Sequence, residues 1–106
     1  MRIIARKTLL AFISSLKGSK EQAAVKAALE SWFHEARHAK WRSWADVRRQ
    51  YATASHVGDR IVFNIKGNDY RLVVAVDYQR QGVWIKWIGT HAQYDKINVR
   101  EVKYGD

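Results

Sequence analysis

The spacing of apolar positions changes character twice along the chain. Met1 to Ala5 is a short apolar run that suits an edge strand. Leu9, Phe12, Ile13 and Leu16 then recur at helical spacing, and Gly18 supplies a stop. Val25, Ala28, Leu29, Trp32, Phe33 and Ala36 mark one continuous stripe, while Lys26, Glu30 and Glu35 fall on the opposite face. That pattern predicts a second helix whose stripe is core, started by a Ser19/Gln22 capping box and folded back on the first as an antiparallel hairpin. Residues 37–56 lose the period, apart from one helical turn expected near Ser43. From Arg60 the period becomes two. Ile61, Phe63 and Ile65 alternate with Val62, Asn64 and Lys66, Gly67-Asn68-Asp69 signals a hairpin turn, and Tyr70, Leu72, Val74 and Val76 alternate with Arg71, Val73, Ala75 and Asp77. A turn around Gln81-Gly82 leads into a third strand, Val83 to Ile88. Trp84 and Trp87 are expected on opposite faces of it, at least one of them in the core. The tail, residues 92–104, suits a short helical turn and a last short strand. The expected architecture is α+β: an N-terminal helical hairpin packed on a small twisted, mainly antiparallel sheet, in a single domain spanning 1–106.

Composition narrows the class. With 47% hydrophobic residues the chain can pack a core and is no disordered basic tail. The absence of cysteine excludes a disulfide scaffold, thiolate metal ligation and a thiol nucleophile. The N-terminus starts basic and turns apolar, but Arg6, Lys7 and serines interrupt the run and no small-residue cleavage site follows. No stretch approaches the roughly 18 apolar residues of a membrane span. The expected location is therefore the cytoplasm, with no membrane partner.

Charge adds a partner class. The formal net charge is +9 and the sequence pI near 10.1, which favours a polyanion such as nucleic acid over a membrane surface. Residues 1–53 carry 11 Lys/Arg against 4 Asp/Glu, and residues 54–106 carry 8 against 6. The most basic segment interleaves cations with aromatics: Arg37, His38, Lys40, Trp41, Arg42, Trp44, Arg48, Arg49 and Tyr51. Such a run either contacts RNA phosphates and stacks on bases, or clamps itself to the sheet by its rings.

Few residues suit chemistry. Arg71 lies within an apolar strand, where a guanidinium needs either a carboxylate (Asp69, Asp77 or Asp95) or an external anion such as a phosphate. Lys66 ends the preceding strand; a tight hairpin would set it beside Arg71, where an anion could bridge the pair, and a solvated strand end is the alternative. His91 follows the third strand in IGTHAQYD, and histidine is the residue type suited to act as general acid or base near neutral pH. A helical turn beginning after Thr90 would bring Tyr94 and Asp95 onto its face, Asp95 to orient the imidazole and Tyr94 to stack or donate. In the plainer reading Thr90 caps a turn and His91 and Asp95 form a local surface pair. His34 and His38 are four apart but lack a third metal ligand, and neither a serine elbow nor a glycine-rich nucleotide loop is present. No metal and no cofactor is expected.

The stretches FNIKGNDYRLVVAV, IGTHAQYD and, upstream, RQYATAS make the chain resemble the HigB-type toxins of the RelE/ParE-like superfamily of bacterial type II toxin–antitoxin systems. The likeness runs from MRII through the helical region to the THxxYD ending. It implies a RelE-like fold, cleavage of mRNA, commonly on the ribosome, and a cognate HigA-type antitoxin with a helix-turn-helix domain. It also implies that Arg71, in the position of the YRLV arginine, contacts the scissile phosphate. His91 stands where some relatives have arginine. The strand positions where RelE-like enzymes use lysine hold Val62 and Asn64 here, leaving Lys66 as the nearby lysine. The implied chemistry is attack by the RNA's own 2′-hydroxyl, without a metal. Arg71 would then stabilise charge with Lys66 assisting, His91 would transfer protons and Tyr94 orient the substrate. Arg37, Lys40, Arg42, Arg48, Arg49 and Tyr51 would dock on ribosomal RNA. The alternatives are a ParE-like gyrase poison, a non-enzymatic RNA-binding module and an inactivated toxin kept for its partner interaction.

Overall fold

The structure, a computed structural model, describes residues 1–102. The chain runs β1 (Arg2–Ile4), α1 (Arg6–Ser15), α2 (Gln22–His38), α3 (Trp44–Gln50), β2 (Ser55–Val57), β3 (Arg60–Ile65), β4 (Tyr70–Asp77), β5 (Gly82–Thr90) and α4 (His91–Tyr94). The strands form one mixed sheet in the order β1-β5-β4-β3-β2. β2 to β5 are antiparallel neighbours, and β1 joins the edge parallel to β5. The α+β architecture expected from the sequence is the one observed.

The apolar stripe of α2 and the inner positions of the sheet make the core. Val25, Leu29, Trp32 and Ala36 from α2 and Leu9 and Ile13 from α1 meet Ile61, Phe63, Ile65, Tyr70, Leu72, Val74, Val83, Ile85 and Ile88, all buried. Trp32 sets its ring edge-on against Phe63 at 5.4 Å. The start of α2 departs from expectation. Ser19 accepts from the Glu21 amide at 3.1 Å, and Gln22 extends to the Ile13 carbonyl at 3.0 Å instead of closing a capping box. Gln22 thus ties the two helices together, a tertiary bond that outcompetes the local one.

Residues 37–56 hold more structure than their pattern suggests. α3 runs for seven residues from Trp44, and β2 pairs its three residues with β3. Trp41 is buried, stacked on Phe63 at 6.1 Å, and its indole donates to Gln50 at 2.9 Å. Tyr51 meets Phe63 edge-on at 5.0 Å and donates to Glu35 at 2.6 Å. The rings clamp the segment to the helices and the sheet. The expected last short strand, towards Tyr104, lies mostly outside the described residues, and from Asp95 to Val102 the chain forms no strand.

One bulge reverses a sequence-based expectation. Val74 pairs with Ile85 but Val73 pairs with Trp87, so Lys86 is left without a partner position in the ladder. The extra residue shifts the alternation by one. Trp84, opposite Ala75, and Trp87, opposite Val73, therefore share the outer face, away from the helices, and neither joins the core.

Candidate functional site

Arg71 stands on this outer face, paired with Asn64 on one side and Gly89 on the other. Its guanidinium is held by the turn that precedes it. Nη2 donates to Asn68 Oδ1 at 2.8 Å, and Nη1 donates to the Asn68 carbonyl at 2.9 Å and to the Tyr70 carbonyl at 3.2 Å. None of these acceptors is charged, and among the described residues Arg71 has no ion pair with Asp69, Asp77 or Asp95. The Tyr94 ring centroid lies 5.9 Å from the guanidinium carbon, within cation–π range.

The other half of the site is built on one helical turn. Thr90 caps α4 in a full capping box: its hydroxyl accepts from the Gln93 amide at 3.1 Å while the Gln93 side chain accepts from the Thr90 amide at 2.9 Å. The His91 amide donates to the Asp69 carbonyl at 2.9 Å, which joins this turn to the β3–β4 turn. One turn on, Asp95 Oδ2 lies 3.7 Å from His91 Nε2, and both side chains are exposed. That distance is too long for a hydrogen bond and fits an ion pair once the imidazole is protonated. Tyr94 sits between Arg71 and Trp87, whose ring centroid is 6.2 Å away. Burial pushes the Tyr94 hydroxyl above its ordinary pKa, with Arg71 opposing the shift.

Lys66 is close in sequence but faces elsewhere. It occupies the turn with φ 53°, beyond the last ladder pair Ile65↔Tyr70, so Asn64 rather than Lys66 stands across from Arg71. Its ammonium reaches Asp69 at 3.0 Å and Glu21 at 3.1 Å, at the start of α2. Those two carboxylates raise its pKa, Asp69 most. Glu21 also accepts from the buried Tyr70 hydroxyl, whose pKa is pushed up to about 12 by burial and by that carboxylate. The group is a clamp between α2 and the β3–β4 hairpin.

The basic segment lies at the opposite end of the molecule. Glu21 marks the Lys66 end of α2, whereas Arg37 and Ala39 at its far end bind the Met1 amino group, and Trp41 accepts from Gln81. Seventeen residues of helix span about 25 Å. Arg37, Lys40, Arg42, Arg48 and Arg49 are all exposed there. Asp46 accepts from the Arg42 amide and pairs with Arg49 at 3.1 Å, contacts that hold its carboxyl below the usual range, the Arg42 amide most. At this end the His34 and His38 rings lie 4.5 Å apart, and among the described residues no three acidic or histidine side chains gather as a metal site.

The family model for HigB_toxin, the RelE-like toxic component of a toxin–antitoxin system, matches residues 25–97. The chain belongs to the HigB toxin family. The match runs from the first turn of α2 past α4 and so includes both halves of the site and the basic segment. No curated protein matches the chain. A HigB toxin is one half of a toxin–antitoxin system and has a cognate antitoxin as its partner. Among the described residues no helix is long and apolar enough to cross a membrane.

Sequence reasoning overlooked Asn68, Glu21 and Gln93. In the sequence Asn68 signals only a turn, although an Asn three positions before an unpaired strand arginine is within reach of its guanidinium. The Thr90/Gln93 spacing has the same capping-box form as Ser19/Gln22 and was equally visible. Glu21 carried no local signal, because its partners are 45 and 49 residues away.

Proposed function

We propose that this HigB toxin is an endoribonuclease that cleaves mRNA in the cytoplasm, on the ribosome, by a metal-independent route. The observation that carries this reading is Arg71: a guanidinium fixed by neutral acceptors beside Tyr94, with His91 anchored through its backbone to the same turn. Such a cation suits a phosphodiester, whose charge it stabilises as the phosphorus becomes pentacoordinate.

In the proposed reaction the RNA's 2′-oxygen bonds to the adjacent phosphorus as the bond to the 5′-oxygen breaks. A 2′,3′-cyclic phosphate and a free 5′-hydroxyl result. One proton leaves the 2′-hydroxyl and one reaches the 5′-oxygen, and His91 carries out proton transfer, oriented by Asp95. Tyr94 positions the nucleotide at the Arg71 face. Lys66 acts through the clamp that fixes the hairpin. Arg37, Lys40, Arg42, Arg48 and Arg49 dock on ribosomal RNA, with Tyr51 anchoring their segment, and the partner is a HigA-type helix-turn-helix antitoxin.

The test is primer extension on mRNA from cells induced to make the wild type, Arg71→Ala or His91→Ala, with circular dichroism to establish that the variants fold. The wild type is expected to leave discrete cleavage ends and both variants to lose them together with growth inhibition. Folded variants that still cleave at the wild-type rate would refute the site. Growth inhibition without cleavage by the wild type would refute the activity and favour a gyrase poison.

A further inference from the structure

Both outer-face tryptophans lie flat on their own strand. A Cβ at Gly89 would fall 2.5 Å from the Trp87 ring, and one at Gly82 would fall 2.5 Å from the Trp84 ring. Each indole therefore covers a glycine two residues away, in opposite directions along β5. Both rings are partly exposed, outside the core, and among the described residues neither indole N–H has a hydrogen-bond partner. The distance from Gly82 to Gly89 along the strand is roughly 20 Å. The Trp87 end adjoins Tyr94 and the Arg71 site, and the Trp84 end adjoins Gln81, which is tied to the basic segment at Trp41.

We propose that the outer face of β5 binds single-stranded RNA, with Trp87 and Trp84 as platforms on which bases stack while the strand runs between the cleavage site and the basic end. This rests on the ribonuclease reading of the Arg71 site. The charge around the platforms fits an RNA strand better than an apolar partner. Arg2 lies opposite Gly82 on this face, Arg71 lies opposite Gly89, and Lys86 is carried in the bulge between the rings. Asp77, a carboxylate on the same face, is engaged by Arg80 at 3.9 Å. Every base has a π-face, so platforms of this kind hold RNA without reading its sequence. The two glycines give the arrangement its purpose: they let the rings lie against the strand and present one flat side outward, where a side chain beneath would tilt them.

The test uses the intact protein and two fluorescent strands of about ten residues, within the site sizes aromatic grooves cover. One is 2′-O-methyl oligoadenylate, which lacks the attacking hydroxyl and is not cut. The other is the same backbone without bases. The wild type is expected to bind the base-bearing strand on the order of tenfold or more tighter, with quenching of tryptophan fluorescence. W87A and W84A should each lose much of that preference while keeping the affinity for the abasic strand, and W87F should retain most of it. Equal binding of both strands by a wild type that cleaves mRNA overturns the stacking proposal alone, as does full preference in folded W87A and W84A. A wild type that neither cleaves mRNA nor binds either strand overturns the ribonuclease reading and this proposal with it. Should W87A fail to fold, absence of quenching in the wild type would by itself overturn the proposal.

Discussion

Replacing Thr90 by alanine removes the hydroxyl that caps α4 and leaves the Gln93 amide without its acceptor. Capping threonines are worth about 0.5–2 kcal/mol. The lower half of that range applies here, because Thr90 is partly exposed and the His91 amide keeps its bond to Asp69. A loss of about 1 kcal/mol lowers the Tm of a domain this size by about 4–8 °C. The functional effect should be larger than the thermal one. The capping box orients the single turn on which His91 and Asp95 stand, and a displacement of about 1 Å at a reacting group can cost about a hundredfold in rate. Thermal melts followed by circular dichroism and single-turnover cleavage of mRNA bound to ribosomes measure the two effects on the same preparation. Thr90→Ser, which keeps the hydroxyl, should restore both. A Thr90→Ser variant that falls as far as Thr90→Ala would show that the cap is not the cause. A destabilised Thr90→Ala variant that still cleaves at full rate would show that His91 does not depend on this turn.

The clamp predicts opposite effects at the two ends of the pH scale. Glu21 is held below its ordinary value of 4.5, chiefly by the Tyr70 hydroxyl and then by Lys66, so its contribution is present above that value and disappears as pH falls through the lowered one. Lys66 is raised above 10.5, chiefly by Asp69, so its contribution is present below that value and disappears as pH rises through the raised one. Melts across pH should therefore show a shallower acid limb for Glu21→Gln and a shallower alkaline limb for Lys66→Met; unchanged limbs would mean the clamp does not stabilise the fold. In the core, Leu29→Ala should cost about 2–5 kcal/mol, since the side chain is 1% exposed beneath the sheet. Urea titration should show a lower midpoint at an unchanged slope, and an unshifted midpoint would contradict the packing.

Hydrophobic periodicity carried most of the fold, because the α2 stripe and the alternation in β3 and β4 are each written in one continuous segment. β2 escaped it: three residues at the sheet edge, two of them exposed, hold no alternation long enough to read. The error at Trp84 and Trp87 has a definite origin. Period two predicts opposite faces for residues three apart, and only a bulge, set by how β4 pairs with β5, puts them together. The site was legible where it is local, as with Thr90, His91, Tyr94 and Asp95 on one turn. It was illegible where partners come from distant segments, and so the Lys66 ammonium, expected beside Arg71, was in fact claimed by Glu21.

In the proposed ribonuclease, the β3–β4 turn is where those distant partners bear on the chemistry. Asn68 holds the end of the Arg71 guanidinium, Asp69 accepts from the His91 backbone, and Lys66 and Tyr70 bind the turn to Glu21 at the start of α2. Five consecutive residues thus connect the Arg71 guanidinium, the turn that carries His91 and the helical layer. The bonds to Arg71 engage Nη1 and one hydrogen of Nη2, so the Nε–H and the second Nη2 hydrogen have no partner among the described residues. Two adjacent donors of that kind match two phosphate oxygens. Because the turn's acceptors are neutral, they orient the cation without cancelling its charge, and a carboxylate in the place of Asn68 would have done both. The entropy of ordering the guanidinium is met when the protein folds rather than when the proposed RNA substrate binds. If Arg71 is the phosphate contact proposed above, a small turn rather than a deep cavity is sufficient to build that site on the open face of a sheet.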